Sequence, residues 1–212
     1  DAQTGEVRFH LPNRQEHGDR LHLFRLDLES AEFEANSDDD SCFHTSDDSD
    51  VGDENGLEGG FRNQAEPQAA WLFARETYAF FHQNFNWHSY DNAGTEIEIF
   101  LFSTMPVANA ARWVPGTGCD LIEFAPGQMD YEVLVHEFTH AIFHFTSRLI
   151  YQNESGALNE HYADIMAVIA DRDRGDPESG GATNWRIGEN RLNGGGAFRD
   201  LSNPRSFGQP EL

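Results

Sequence analysis

His136, Glu137 and His140 form a His-Glu-x-x-His stretch inside an apolar run spanning residues 131–151. On a helix, residues four apart lie on one face about one turn from each other, so the two imidazoles can share one Zn²⁺. Glu137 then sits beside the metal, where it can act on a bound water. That stretch alone recurs in unrelated helices. Further along the chain, Asn159-Glu160-His161-Tyr162-Ala163-Asp164 makes it specific. Glu160 and Asp164 are also four apart, so a second helix presents both on one face. Glu160 can supply the third protein ligand, and Asp164 can accept the second ring N–H of a ligating histidine. Two imidazoles and one carboxylate describe an open zinc site with a vacant place for water. His144 and His161 are read as ordinary polar helix residues.

The elements that must position these groups are two helices, expected over 131–149 and 155–172. Ahead of them, Glu66-Pro67 opens another helix, with proline suited to a first turn. Trp71, Tyr78, Phe81 and Phe85 recur on it at helical spacing and read as core. Strands are expected over 96–102 and 119–124. Residues 20–34 alternate apolar and polar, with a change of phase near Phe24-Arg25 that suggests a bulge. Residues 36–60 are rich in aspartate, glycine and serine and read most simply as a mobile loop. A calcium loop is the other reading, but the EF-hand template fails: counted from Asp48, its sixth position holds Asp53 instead of glycine. After the zinc helices comes a glycine-rich tail with little regular structure. The fold class is α+β.

Composition narrows the setting. The chain has 212 residues, enough for one ample core or two small domains. No apolar run is long enough to span a membrane. The formal net charge is −23 and every basic residue apart from histidine is arginine, so binding nucleic acid through phosphate contacts is excluded. Acid excess without lysine suits a salt-rich setting or a calcium-loaded exported protein, and genomic base composition can also remove lysine. Cys42 and Cys119 permit one disulfide or two free thiols, and neither has the Cys-x-x-Cys company of a zinc ribbon or a thioredoxin. Residue 1 is not methionine and no signal peptide precedes it, so the chain reads as processed or incomplete.

Together, the two zinc stretches resemble the thermolysin family of secreted zinc endopeptidases, whose signature joins His-Glu-x-x-His to a downstream Asn-Glu-x-x-x-Asp. The likeness continues through Tyr151-Gln152-Asn153-Glu154-Ser155-Gly156-Ala157, Asn184-Trp185-Arg186-Ile187-Gly188-Glu189 and Phe198-Arg199-Asp200-Leu201-Ser202-Asn203-Pro204. Other zinc-protease classes fail on spacing. One needs a third histidine where Thr146 stands, and another needs its ligand glutamate where Asn159 stands.

The resemblance implies an endopeptidase acting on protein or peptide substrates. In it, Zn²⁺ activates water, Glu137 takes the proton as general base and returns it to the leaving amine, and cleavage falls before apolar residues. It implies that Tyr151 donates to the developing oxyanion and that Arg199 binds a substrate carbonyl. Asn109-Ala110 would lie on the strand that pairs with substrate. Phe124, Val133, Ile187 and Phe198 would line the pocket after the scissile bond. Glu132, Asp171, Asn184 and Glu189 would hold Ca²⁺, with Asp171 and Asn184 departing from the family's usual residues.

The same resemblance makes residues 1–11 the last hairpin of an inhibitory propeptide. Residues 12–130 become an N-terminal β-rich lobe, and 131–212 the zinc helices with the start of a C-terminal lobe. Most of that helical lobe, with its transition-state histidine, is expected to be missing. The competing reading is a non-catalytic zinc- and calcium-binding module derived from such a protease. Intact Glu137 argues against it, because a binding module has no use for a base at the water position.

Overall fold

The computed structural model describes residues 21–25, 49–53, 56–57, 65–95, 97–101, 111–116, 120–175, 184–191, 194 and 196–209. Three helices and a six-stranded mixed sheet organise them. The strands are β1 (Leu21–Arg25), β2 (Ser49–Asp53), β3 (Gly56–Leu57), β4 (Ile97–Leu101), β5 (Ala111–Val114) and β6 (Leu121–Phe124). They lie in the order β3-β2-β1-β4-β6-β5. β4 pairs in parallel with both β1 and β6, while β5 runs antiparallel to β6. A strand flanked on both sides by parallel neighbours tends to be covered on both faces, and the Ile-Glu-Ile-Phe-Leu run of β4 is accordingly almost wholly buried. On β6 even Glu123 is buried; it receives a two-pronged contact at 3.1 and 3.2 Å from Arg112, directly opposite on β5.

Two expectations change here. Residues 36–60 are not all loop, because β2 and β3 form an antiparallel hairpin inside them. The aspartates around both strands make the stretch read as solvated and hide them. β1 does carry an irregularity, between Leu23 and Phe24 against β2. Residues 1–11, Cys42, Asn109, Ala110 and Cys119 lie outside the described residues.

Helix α1 (Ala65–Phe85) buries Ala70, Ala74, Thr77, Tyr78 and Phe81, a stripe at helical spacing. Pro67 falls in its first turn, as expected. Trp71 packs partly buried against the core, but Phe85, the last residue of the helix, is 53% exposed. Glu66 accepts from the Gly127 N–H at 2.8 and 3.0 Å, tying the start of α1 to the turn ahead of the zinc helix.

Helix α2 (Tyr131–Phe145) is buried all round for its first nine residues, Tyr131 to Thr139. Asp130 caps it, accepting from the backbone N–H groups of Glu132 and Val133. Such a cap contributes about 1 kcal/mol. Burial of Leu134, Val135 and Phe138, all 0–1% exposed, contributes roughly 1.5–3 kcal/mol each, so packing decides where α2 lies. The helix stops four residues short of the expected 149, because Thr146 leaves helical backbone at φ −111° and ψ −88°.

Helix α3 (Asn153–Arg174) packs across α2 and closes on Gly175 in the left-handed conformation. The tail contributes a two-stranded ladder, β7 (Arg186–Ile187) with β8 (Arg199–Asp200), and a 3₁₀ turn over Pro204–Phe207.

Candidate metal centre

α2 and α3 meet at the residues that sequence spacing singled out. His136, His140 and Glu160 form the one group of three or more possible ligands, among the described residues, whose donor atoms all lie within 4.8 Å of one another. The Nε2 atoms of the two histidines are 2.9 Å apart. Glu160 lies 3.4 Å from His136 Nε2 and 3.3 Å from His140 Nε2. Donors bound tetrahedrally at about 2.0–2.1 Å would be spaced roughly 3.3 Å from one another, so this set fits Zn²⁺.

The opposite edges of the two rings set their protonation. His136 Nδ1 lies 2.9 Å from Asp164 Oδ1, and His140 Nδ1 lies 2.6 Å from Asn159 Oδ1. A carboxylate and an amide oxygen can only accept, so each Nδ1 carries the proton. In the neutral rings both Nε2 lone pairs then face each other across a short gap, an arrangement that calls for a cation. Asn159 was not anticipated in this role. It precedes the ligand Glu160 and points to His140, and helical periodicity does not mark such a position.

Without metal, a proton on His136 meets the same need. Burial works against charge on His136, but contacts with Asp164 and Glu160 outweigh it and push the ring up to about 9. Burial opposes ionisation of Glu160 too, yet hydrogen bonds from His136, His140 and Tyr151 hold its carboxyl well below the usual range. Tyr151 donates its phenol to Glu160; partial burial and that carboxylate raise the phenol above its usual range, so it stays a donor. Arg199 Nη1 bridges Glu160 Oε2 at 3.1 Å and Asp164 Oδ1 at 3.0 Å. Glu137 Oε2 accepts from the backbone N–H of Trp113 on β5 at 2.8 Å.

These groups open onto a cleft of about 1000 Å³. Of the four expected pocket residues, Val133 and Phe198 line it. Phe124 and Ile187 are fully buried and stand outside that lining. Gln128 and Arg191, which sequence reading passed over, stand in the lining instead. Arg191 and Arg199 each place a guanidinium 5.1 Å from the Phe198 ring, and the ring rests directly on Gly188.

The expected calcium residues gather at the start of α2, where Glu132 lies one turn before the ligand His136. Glu132 accepts from the Gly188 N–H at 2.9 Å, and Asn184 gives its amide nitrogen to Glu189. The Asn184 oxygen accepts from the Arg186 N–H at 3.1 Å. Asp171 is buried nearby on α3. Burial first, then Glu189 and Asp130, push the Glu132 carboxyl up to about 10. The buried Glu132 Oε1 and Glu189 Oε2 lack hydrogen-bond partners among the described residues.

Comparison with known proteins follows the same residues. The profile described as thermolysin metallopeptidase, catalytic domain, matches residues 25–144. The profile for the alpha-helical domain of the same metallopeptidases matches residues 147–212, so α3 and the tail belong to that lobe. Neutral protease NprE of Bacillus pumilus is 34% identical over 140 residues, covering 64% of this chain and 43% of its own length. Bacillolysin of Bacillus amyloliquefaciens is also 34% identical over 140 residues, covering 64% of this chain and 25% of its own length. The chain thus spans between a quarter and under half of these curated relatives. Among solved structures, a precursor of protealysin, a metalloproteinase from Serratia proteamaculans, matches with a TM-score of 0.64 at 19% identity. That match covers 91% of this chain and 56% of the other, and it shows a shared fold.

Proposed function

Because the chain belongs to the thermolysin metallopeptidase family, we propose that it carries the zinc centre of an endopeptidase that hydrolyses peptide bonds. The observation that carries this reading is the pair of Nε2 atoms facing each other at 2.9 Å, with Glu160 beside them and Glu137 next along α2. When bound there, Zn²⁺ supplies Lewis acidity and makes water acidic enough to lose a proton near neutral pH.

The protein's own groups do the rest. Glu137 accepts the proton of the attacking water and returns it to the leaving amine. The Trp113 N–H holds one of its oxygens and leaves the other for this work. Tyr151, 67% exposed at the cleft rim, donates to the oxygen on which charge develops. Arg199, held by Glu160 and Asp164, offers its remaining N–H groups to a substrate carbonyl. β5 is last in the sheet order and adjoins the cleft, so a substrate can add to it as a further strand. Val133 and Phe198 give the residue after the scissile bond apolar walls.

The reading includes Ca²⁺ bound by Glu132, Asp171, Asn184 and Glu189, supported by the buried oxygens of Glu132 and Glu189 left unpartnered among the described residues. Residues 1–11 as part of an inhibitory propeptide, and export from the cell, rest on the family likeness. The deciding experiment combines zinc analysis with peptide hydrolysis by the zinc-loaded protein and its Glu137→Gln variant. Zinc at one per chain and hydrolysis lost on substitution are expected. Zinc without hydrolysis, or equal rates from both proteins, would favour the non-catalytic module.

A further inference from the structure

The protein is strongly acidic, at −23, yet its cleft is lined the other way. Among the described residues, four of its fourteen arginines, Arg112, Arg148, Arg191 and Arg199, line the cleft, against two acids, Glu137 and Glu160. Two of the four are already neutralised: Arg112 by Glu123, and Arg199 by Glu160 and Asp164. The other two have no carboxylate partner among the described residues. Arg191 donates only to uncharged oxygens, those of Gly188, Gln128 and Gly196, at 2.7–2.9 Å. Arg148 is exposed on the bend after α2.

Their placement along the cleft is informative. Arg191 belongs to the segment fastened to the first turn of α2, where Asn190 N donates to Asp130 and Gly188 N to Glu132. Arg148 lies three residues beyond the last residue of α2. Val133 and His144, the cleft residues near either end of α2, are about 16 Å apart at 1.5 Å per residue. The zinc ligands lie between them. The two unneutralised cations therefore flank the reactive centre, one on each side.

We infer that the preferred substrates are acidic peptides, with carboxylate side chains on both sides of the scissile bond and an apolar residue immediately after it. This inference rests on the endopeptidase reading. Range decides whether the two local cations or the overall negative charge governs binding. At physiological ionic strength the Debye length is about 8 Å, so the dispersed surface acids are screened while a carboxylate in contact with Arg191 or Arg148 is not.

The test measures binding without turnover, using the zinc-loaded Glu137→Gln protein in about 0.15 M salt. Three fluorescein-labelled peptides share one apolar residue after the target bond and carry Glu, Gln or Lys on both sides. Their dissociation constants are read by anisotropy. Two exposed charge contacts, each worth about threefold, predict a Glu peptide bound roughly tenfold tighter than the Gln peptide, with Lys weakest. Arg191→Gln and Arg148→Gln should each remove about threefold of that Glu-over-Gln ratio, and Arg191→Lys should keep it. Arg148 is exposed and unpartnered among the described residues, so its variant tests the idea without a folding penalty. Equal binding of the Glu and Gln peptides, or a ratio that neither substitution lowers, overturns the inference alone. Binding of none of the three strikes the endopeptidase reading itself, and the inference with it.

Discussion

The backbone N–H of Trp113, on the outermost strand among the described residues, donates to Glu137 Oε2 at 2.8 Å. Strand and base belong to elements far apart in sequence, yet one hydrogen bond fixes their distance. The edge on which a substrate would lie is thereby set relative to the carboxylate that would move its proton.

Replacing Glu137 with Gln keeps that hydrogen bond, because the amide oxygen still accepts, but it removes the base. Hydrolysis should fall by about 10²–10⁴, with zinc content and melting temperature unchanged. Steady-state rates with metal analysis on the same samples check this; a variant that also loses zinc would point to a structural role.

Asn159 fixes the His140 tautomer through Nδ1 at 2.6 Å. Asn159→Ala leaves every ligand in place but frees the ring to turn, so zinc affinity should drop about 10- to 100-fold. Competition against a chromophoric chelator measures it.

Without metal, His136 is pushed up to about 9 by Asp164 and Glu160. Its folded value lies above the ordinary 6.5, so its stabilisation is complete below about 6.5 and is lost as pH rises through about 9. Metal-free protein should become less stable across that window. Below pH 9 zinc must displace the proton, so affinity should weaken as pH falls. Titration calorimetry at pH 7.5 in two buffers of different ionisation enthalpy should register net proton release.

Glu132 is likewise raised, to about 10, here by burial and by Glu189 and Asp130. Raising a carboxyl favours the folded state at low pH. The associated stability is present below about 4.5 and erodes as pH climbs towards 10. Calcium-free protein should therefore melt lower at pH 8 than at pH 5.5, and millimolar Ca²⁺ should restore the loss at pH 8. A melt series showing no calcium effect at pH 8 counts against the calcium site.

Gly188 has φ +78°, and a Cβ there would fall 2.1 Å from Phe198 Cε1. Gly188→Ala must displace the Phe198 ring. It should cost about 1–3 kcal/mol of stability and raise KM for peptides more than it lowers kcat. Thermal melts and kinetics on one variant separate the two effects.

How much of this was legible beforehand follows from how each feature is encoded. The faces of α2 and α3 repeat every turn, so spacing puts His136 with His140 and Glu160 with Asp164, and the joint pattern assigns the two pairs to one metal. The hairpin of β2 and β3 lies in an aspartate-rich stretch that reads as solvated, and its pairing with β1 comes from distant parts of the chain. Phe124 and Ile187 match a pocket by type, but sequence does not say whether an apolar side chain lines a cleft or lies buried outside its lining. Arg191 and Gln128 reach the cleft because Arg191 Nη1 meets Gln128 Oε1 at 2.7 Å, a contact between segments 63 residues apart that has no local signature.

One further consequence attaches to β5. A border strand left open for a guest peptide is equally open to the same strand of a twin molecule, the usual route to sheet-to-sheet clumping. Two twins would each bring −23 to such an encounter, whereas even a short acidic peptide brings only a few charges. The surplus of acid on the outside thus works as a colloidal guard, keeping neighbours from docking edge to edge while small guests still enter.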